Sequence, residues 1–219
     1  MVSFTEEETR AVYEAIYARR DIRRFRSEPI PDDVLERLVD AAHHAPSVGF
    51  SQPWDFVVIR DEETKSDIKE IASRAIAAAQ AAYEEPRQSE FGQLKLEGIE
   101  ESPVNLCVTC DPTRGGPHVL GRNSMRRTDV YSTCLAVQNL WLAARAEGVG
   151  VGWVSFLYPA EVREVLGIPP HVKPIAYLCL GYPESFPDEP TLQTEGWRDR
   201  IDLEELVHTG GWDARAGSE

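Results

Sequence analysis

Membrane-spanning and secretory features are missing from this sequence. Its 219 residues contain no run of about 18 apolar residues, the length that a membrane-spanning helix requires. The opening residues, MVSFTEEETR, contain no basic region followed by an apolar one, so no secretory signal is expected. We therefore expect a cytoplasmic protein.

Positive charge is also scarce. Lysine and arginine together number 23 against 37 aspartates and glutamates, which gives a formal net charge of −14. A general nucleic-acid binder needs a cationic face for the phosphate backbone, so this composition argues against that class. Basic residues could still gather locally around a small anion.

Metal-binding patterns are not found among the cysteines and histidines. Cys107 and Cys110 form a CxxC, but a zinc site would need a second close pair, and the other cysteines are Cys134 and Cys179. The pair lies in VNLCVTC, a strand-like run, which favours buried structural side chains over redox or metal chemistry. The five histidines show no HExxH or similar spacing, so no metal is predicted.

Helical patterns alternate irregularly with short strand-like runs, and no repeat is present. Apolar residues make up 42% of the chain, enough for the core of a single domain over residues 1–219. Because the order is not a regular βαβ series, an α+β fold is predicted. The predicted helices cover about 5–20, 31–44, 62–83, 129–147, 159–167 and 203–208, and the strands cover about 56–59, 104–110, 148–156 and 175–180.

Two helical regions stand out. The helix at 129–147 is apolar on nearly all sides, which predicts a central helix at a subunit interface. Residues 84–102 are charged and mixed, and they read as either a broken helix or a mobile lid.

The hexapeptide RRDIRR, residues 19–24, places four arginines and one carboxylate together in an acidic chain. Arginine clusters suit bidentate recognition of phosphate, and they suit the negative end of a helix dipole equally well. The residues alone leave both interpretations open. Asp21, the single acid, is best explained locally as the partner of a neighbouring arginine.

GVGVGW, residues 148–153, does not have the order of a dinucleotide-binding fingerprint. That fingerprint requires GxGxxG between a strand and a following helix, whereas here the spacing is GxGxG and a strand follows a helix. Close backbone packing is the simpler explanation, and approach of a flat ligand is the alternative. Ser155 follows without a GxSxG context, so a hydrolase nucleophile is not predicted.

Two further segments are unusual for their positions. Arg198 and Arg200 stand two positions apart and would project to one side of an extended segment, where they could grip a phosphate or simply lie on the surface. APSVGFSQPW, residues 45–54, joins a helix to a strand without any charge. Its Phe50 and Trp54 predict a packed loop.

Taken together and in order, these motifs resemble the nitroreductase-like flavoproteins over nearly the whole chain. The matching segments are RRDIRRF, APSVGFSQPW, GVGVGW, and LGYP followed by WRDRIDLEELV. The resemblance implies a nitroreductase-like α+β fold with a central mixed sheet flanked by helices. It also implies an intertwined homodimer with FMN bound at the interface between subunits.

Within that family the chain resembles most closely the branch of 5,6-dimethylbenzimidazole synthases. The segments that carry this are AAHHAPSVGFSQPW, LKLEGI, CVTCDPTRGG and QNLWLAARAEGVGVGWVSF. Ordinary nitroreductases usually have RRS where this chain has RRD, and an asparagine where it has Phe50. The resemblance implies that reduced FMN is both bound group and substrate. Molecular oxygen converts it to dimethylbenzimidazole and erythrose 4-phosphate without a metal, and a separate flavin reductase supplies it.

The resemblance also assigns roles to individual residues. Asp21 is expected to act as a base near the flavin–ribityl junction, and Ser155 to lie near the reactive side of the flavin. Residues 84–102 are the expected lid, which would exclude water. Contacts with flavin or phosphate are expected from Arg19, Arg20, Asp21, Ile22, Arg23, Pro46, Ser47, Gly49, Gly152, Trp153, Ser155, Arg198 and Arg200.

Two other functions are compatible with the same motifs. The first is an NAD(P)H-dependent FMN nitro- or quinone reductase. The second is a flavin-binding or storage protein without turnover, against which Asp21 and Ser155 argue because storage needs no acid–base group.

Overall fold

A single four-stranded sheet forms the centre of the structure, a computed structural model that describes residues 3–212. The strands are β1 (Trp54–Ile59), β2 (Val104–Cys110), β3 (Gly150–Val154) and β4 (Lys173–Gly181), in the order β1-β2-β4-β3. All neighbouring strands are antiparallel, so the prediction of a mixed sheet is wrong for them. The connections are long enough for parallel crossovers, yet they return the chain in the opposite direction. Within residues 3–212 the one parallel pairing is an isolated bridge between Asp21 and Val151.

Helices lie on both faces of this sheet, which confirms the predicted α+β class. The helices are α1 (Glu6–Ala18), α2 (Asp32–His43), α3 (Glu62–Ala81), α4 (Arg87–Gln93), α5 (Thr128–Ala146), α6 (Pro159–Val165) and α7 (Thr191–Thr194). One core joins α2 and α5 to one face of β2 and β4, and a second core joins α3 and α6 to the other face. The predicted helix at 203–208 is only a 3-10 turn, Leu203–Glu205.

Helix α5 packs against α1, α2 and all four strands, so its central position is confirmed. Its buried side includes Ala136, Leu140 and Ala144, none of which is exposed to solvent. Tyr131 and Leu135 nevertheless remain about half exposed, at 50% and 47%. Burial on all sides is therefore incomplete within one chain.

The predicted lid segment, 84–102, contains both surface and core residues. Ile99 is fully buried, and the carboxylate of Glu97 accepts hydrogen bonds from Lys69 and from the Ile99 N–H. Burial by itself raises the pKa of Glu97, but these hydrogen bonds and the lysine charges outweigh it and lower the pKa overall. Buried Lys65 also donates to the Ser102 carbonyl at 3.0 Å. A lid motion stays a prediction, and in this structure residues 97–102 are fixed to α3.

The cysteines are free thiols in the part of the chain that the structure describes. Cys107 and Cys110 both lie buried in β2, which confirms their interpretation as structural side chains. Burial raises the pKa of Cys107 to about 12. Residues 3–212 include no group of three or more histidine, cysteine or acidic side chains that could hold a metal ion. None of their helices has the length and apolarity to span a membrane.

Candidate active site

The segment that follows α1 runs beside β3 and forms the first part of the candidate site. The Ile22 N–H donates to the Val151 carbonyl at 2.9 Å, and the Trp153 N–H donates to Asp21 Oδ1 at 2.9 Å. Arg23 Nη2 lies 2.5 Å from Asp21 Oδ2 and donates to the Trp153 carbonyl at 2.6 Å. The predicted pairing of Asp21 with an arginine is therefore confirmed, and its partner is Arg23.

Gly152 makes this close approach of two backbone segments possible. A Cβ atom at this position would lie 2.0 Å from the Ile22 carbonyl oxygen and 2.4 Å from Arg23 Nη1. Such contacts are far inside van der Waals distance, so no other residue fits without separating the segments. Of the two interpretations of the glycine-rich run, close backbone packing is the one that this position shows.

Asp21 has an unusual electrostatic environment for a side chain that keeps 44% of its surface exposed. Loss of water around the carboxyl raises its pKa, and this effect exceeds the opposing charge of Arg23 and the hydrogen bond from the Trp153 N–H. A raised carboxylate pKa makes Asp21 a stronger base than an ordinary aspartate.

Three further predicted arginines gather at the same place. Arg19 stacks over the ring of Trp141 at 5.0 Å, and Arg20 donates to the carbonyls of Tyr17 and Asp188. Burial lowers the pKa of Arg19, Asp21 opposes this, and the charges of Arg20 and Arg200 lower it further. Arg200 is thus close enough to Arg19 to act on it electrostatically. Arg198 is exposed, and its backbone N–H donates to the Leu192 carbonyl at 3.3 Å.

Two buried guanidinium atoms in this cluster have no hydrogen-bond partner among the described residues. They are Arg20 Nε and Arg23 Nη1. A buried donor without an acceptor is costly, so such atoms indicate a position that a ligand's acceptor can fill. The group therefore fits an anionic or carbonyl-rich ligand such as FMN.

Ser155 lies directly after β3 with its side chain exposed. Its carbonyl accepts a hydrogen bond from the Leu157 N–H at 3.0 Å, while its hydroxyl has no partner in the described part of the chain. The hydroxyl is thus available to a ligand beside Trp153.

The second part of the candidate site is the loop that carries Pro46, Ser47 and Gly49. Ser47 Oγ accepts from the Gln52 N–H at 3.0 Å, and Gly49 adopts φ +52°. A Cβ on Gly49 would lie 2.7 Å from Val119 Cγ1. Phe50 also has a left-handed backbone, with φ +53° and 81% of its surface exposed, so it does not belong to the packed interior. A left-handed non-glycine residue is strained, and such strain concentrates at functional sites.

The two parts do not meet within one chain. The loop binds α5 through Ser132 Oγ, which accepts from the Val48 N–H at 3.0 Å. The arginine segment binds α5 through Trp141, whose Nε1 donates to the Arg20 carbonyl at 3.2 Å. Ser132 and Trp141 are nine residues apart, so they lie on opposite faces of the helix and about 14 Å apart along it.

A residue that supports the site has no recognisable sequence signal. Arg114 donates to the carbonyls of Gln52 and Trp54 and pairs with Asp55, so it fixes the end of the loop. Its only local signal is a position in a long loop rich in turn residues.

Comparisons with known proteins show which family this chain resembles. The profile described as the nitroreductase family matches residues 16–182. A 5,6-dimethylbenzimidazole synthase from Rhodospirillum rubrum is 44% identical over 182 residues, which cover 83% of this chain and 86% of that protein. One from Rhodobacter capsulatus is 38% identical over 205 residues, covering 93% and 98% respectively.

Solved structures agree on the fold. The NADPH:FMN oxidoreductase from Vibrio harveyi, solved in complex with NAD+, superposes with a TM-score of 0.70. The comparison covers 93% of this chain and 78% of that one, at 22% sequence identity. At this identity the likeness concerns the fold alone.

Proposed function

This chain belongs to the nitroreductase family, and from that premise we propose that it is a 5,6-dimethylbenzimidazole synthase. The proposed reaction fragments reduced FMN, with molecular oxygen as the oxidant, to dimethylbenzimidazole and erythrose 4-phosphate, and the remaining carbons and nitrogens of the flavin's pyrimidine ring leave as a third fragment. The observation that carries the proposal is the Asp21 carboxylate, held between Arg23 and the Trp153 N–H beside a strand that approaches it through Gly152. A reductase that only relays hydride has no need of such a base.

Several features of the candidate site support flavin binding. The arginine cluster supplies cations for a phosphate group, and the unpartnered donors Arg20 Nε and Arg23 Nη1 can face flavin acceptors. When bound, FMN supplies the redox chemistry and the carbon atoms of the product. We propose contacts from Ile22, Pro46, Ser47, Gly49, Gly152, Trp153, Arg19, Arg198 and Arg200.

Asp21 and Ser155 are the proposed catalytic residues. Asp21 takes up a proton from the ribityl side of the ligand, and its raised pKa favours that step. Arg23 and the Trp153 N–H fix both carboxylate oxygens, so the base does not have to be ordered at the moment of reaction. The exposed Ser155 hydroxyl, two residues beyond Trp153, is proposed to donate a hydrogen bond to the bound ligand.

We further propose that the site is completed in a homodimer. The loop with Ser47 and Gly49 and the segment with Asp21 lie on opposite faces of α5, so one site needs the loop of a second chain. The exposed ring of Phe50 and the apolar residues on α1, such as Tyr13 and Tyr17, are surfaces that such a partner would cover. Light scattering should give about twice the chain mass of 24.6 kDa, whereas a single-chain mass contradicts the dimer.

Substrate supply and location complete the proposal. A separate flavin reductase is proposed as the source of reduced FMN, as the resemblance to 5,6-dimethylbenzimidazole synthases implies. The free cysteines fit a reducing compartment, which supports the cytoplasm.

The decisive experiment mixes the protein with chemically reduced FMN in air and separates the products by chromatography. We expect stoichiometric dimethylbenzimidazole and erythrose 4-phosphate, with no product under nitrogen. Quantitative recovery of intact oxidised FMN, together with rapid NADH consumption in the presence of a nitroaromatic compound, would instead identify a nitroreductase. Recovery of intact FMN without NADH consumption would identify a storage protein.

A further inference from the structure

An aromatic cluster joins three separate parts of the chain next to the candidate site. Its members are Tyr83, Phe91, Phe156 and Trp197. Phe91, on α4, is only 4% exposed, and it packs edge-on against Phe156 at 5.9 Å and against Trp197 at 6.0 Å between ring centroids. Edge-to-face pairs at such distances are favourable beyond simple burial.

Both partners of Phe91 are neighbours of proposed site residues. Phe156 follows Ser155 directly, and Trp197 precedes Arg198 and lies three positions before Arg200. Helix α4 therefore contacts the chain just beyond β3 and the segment that carries Arg198 and Arg200. Neither Phe91 nor Trp197 belongs to the predicted set of flavin contacts.

Arg87 adds a polar contact to this cluster. Its guanidinium stacks over the Trp197 ring at 3.5 Å, and its Nη2 donates to the Trp197 carbonyl at 2.6 Å. Its Nη1 also pairs with Glu90 at 2.8 Å, which holds the planar group in position. Stacking and a charge-assisted hydrogen bond together fix both the ring and the backbone of residue 197.

Side chains from elsewhere in the chain hold this segment at Trp197. Tyr83 packs edge-on against the Trp197 ring at 5.6 Å, beside the contacts that Phe91 and Arg87 make with the same residue. The Trp197 and Arg198 N–H groups donate to the Leu192 carbonyl, within the same short stretch of chain. Through Arg87 and Phe91, α4 therefore fixes the residue that directly precedes Arg198.

We propose that Arg87, Phe91 and Trp197 are positioning residues that hold Arg198 and Arg200 in place for the phosphate group of the flavin. The idea rests on the proposed function in one respect, namely that these two arginines bind phosphate. It extends that function, because α4 would then help the protein to bind FMN in preference to flavin that lacks the phosphate.

Replacing Arg87 with Met tests this directly, because methionine keeps apolar bulk but removes the stacked charge and the donor. FMN and riboflavin, which lacks the phosphate, are titrated separately while the quenching of flavin fluorescence is followed. We expect Arg87→Met to weaken FMN binding about tenfold and to leave riboflavin binding within about twofold. Arg87→Lys keeps a donor and a charge but not the planar stack, so it should recover part of the FMN affinity.

A matched control is Arg74→Met. Arg74 stacks over Tyr158 at 5.9 Å and pairs with Glu161, so it loses the same kinds of contact on α3 without touching Trp197. Its affinities for both flavins should equal those of the unmodified protein. Thermal melting of every variant shows whether any loss of affinity comes from unfolding.

Two results would overturn the proposal: unchanged FMN affinity in Arg87→Met, or equal losses for FMN and riboflavin. Failure here is separable from failure of the proposed function. If dimethylbenzimidazole is formed but Arg87→Met binds FMN normally, only the positioning role is wrong. If no dimethylbenzimidazole is formed but Arg87→Met selectively loses FMN affinity, the positioning role stands and the proposed reaction is wrong.

Discussion

Asp21→Asn is expected to lower the rate of dimethylbenzimidazole formation by about 100-fold or more, because proton transfer by a positioned side chain contributes at least that factor. The asparagine amide has nearly the shape of the carboxylate and can still accept from the Trp153 N–H, so FMN binding should be largely retained. The measurement is single-turnover product formation from reduced FMN in air, with flavin affinity determined on the same preparation. An unchanged product yield removes Asp21 from the mechanism.

Asp32→Asn provides the matched control for this variant. Asp32 also pairs with an arginine, since Arg60 Nη2 lies 2.6 Å from its Oδ1, but it is the first residue of α2 and contacts neither part of the proposed site. Product formation in Asp32→Asn should therefore match that of the unmodified protein. A similar loss in both variants would point to a general effect of losing an ion pair.

The raised pKa of Asp21 adds a pH signature. The base is active only when ionised, so the rate should fall on acidification with a midpoint above the ordinary aspartate value of 3.8. The same raised pKa gives the free energy of folding the opposite pH dependence from the rate. A carboxyl with a raised pKa in the folded state favours folding at low pH, and this contribution is lost as the pH rises through that pKa. The residual rate of Asp21→Asn should not show this fall on acidification.

Gly152→Ala is the second change with a large expected effect. Its Cβ would lie 2.0 Å from a backbone oxygen of Ile22, so β3 and the Asp21 segment must separate. That separation breaks the hydrogen bonds from the Ile22 and Trp153 N–H groups. We expect a loss of about 3 kcal/mol or more in the free energy of unfolding, seen as a melting temperature about 10 °C lower, and loss of flavin binding.

Gly150→Ala, on the same strand, is the control. It shows whether β3 is destabilised by any alanine or only by one that meets the Ile22 backbone, as at Gly152. At Gly150 the nearest atoms belong to the Ile22 side chain, at 3.0 to 3.2 Å, and a side chain can adjust. Its cost should be about 1 kcal/mol, or roughly 3 °C in melting temperature. If both variants have the same melting temperature, the contact at Gly152 does not limit stability.

Elements with strong end signals could be predicted from the sequence. Thr5 and Glu8 form the predicted capping box of α1, and Pro31 stands at the predicted start of α2. Helix α4 could not be predicted, because its seven residues have no clear apolar period and depend on the packing of Phe91. The antiparallel direction of the strands could not be predicted either, since strand pairing depends on contacts between distant parts of the chain.

The candidate site shows the same limit. RRDIRR and GVGVGW were both recognised, yet neither motif alone indicates that Trp153 donates to Asp21, some 130 residues away. The neighbouring residues predict an ion pair for Asp21 and close packing for the glycines, and the structure contains both. Their joint meaning comes from the order of motifs along the chain, which carried the family resemblance.

The burial of the thiols affects how well the protein resists oxidation during turnover. Reduced flavin in air generates peroxide, which attacks cysteine through the thiolate form. Because burial raises the pKa of Cys107 and of Cys179 to about 12, both thiols stay protonated at pH 7. These two thiols therefore react slowly with peroxide, and the central sheet that contains them is protected from oxidation.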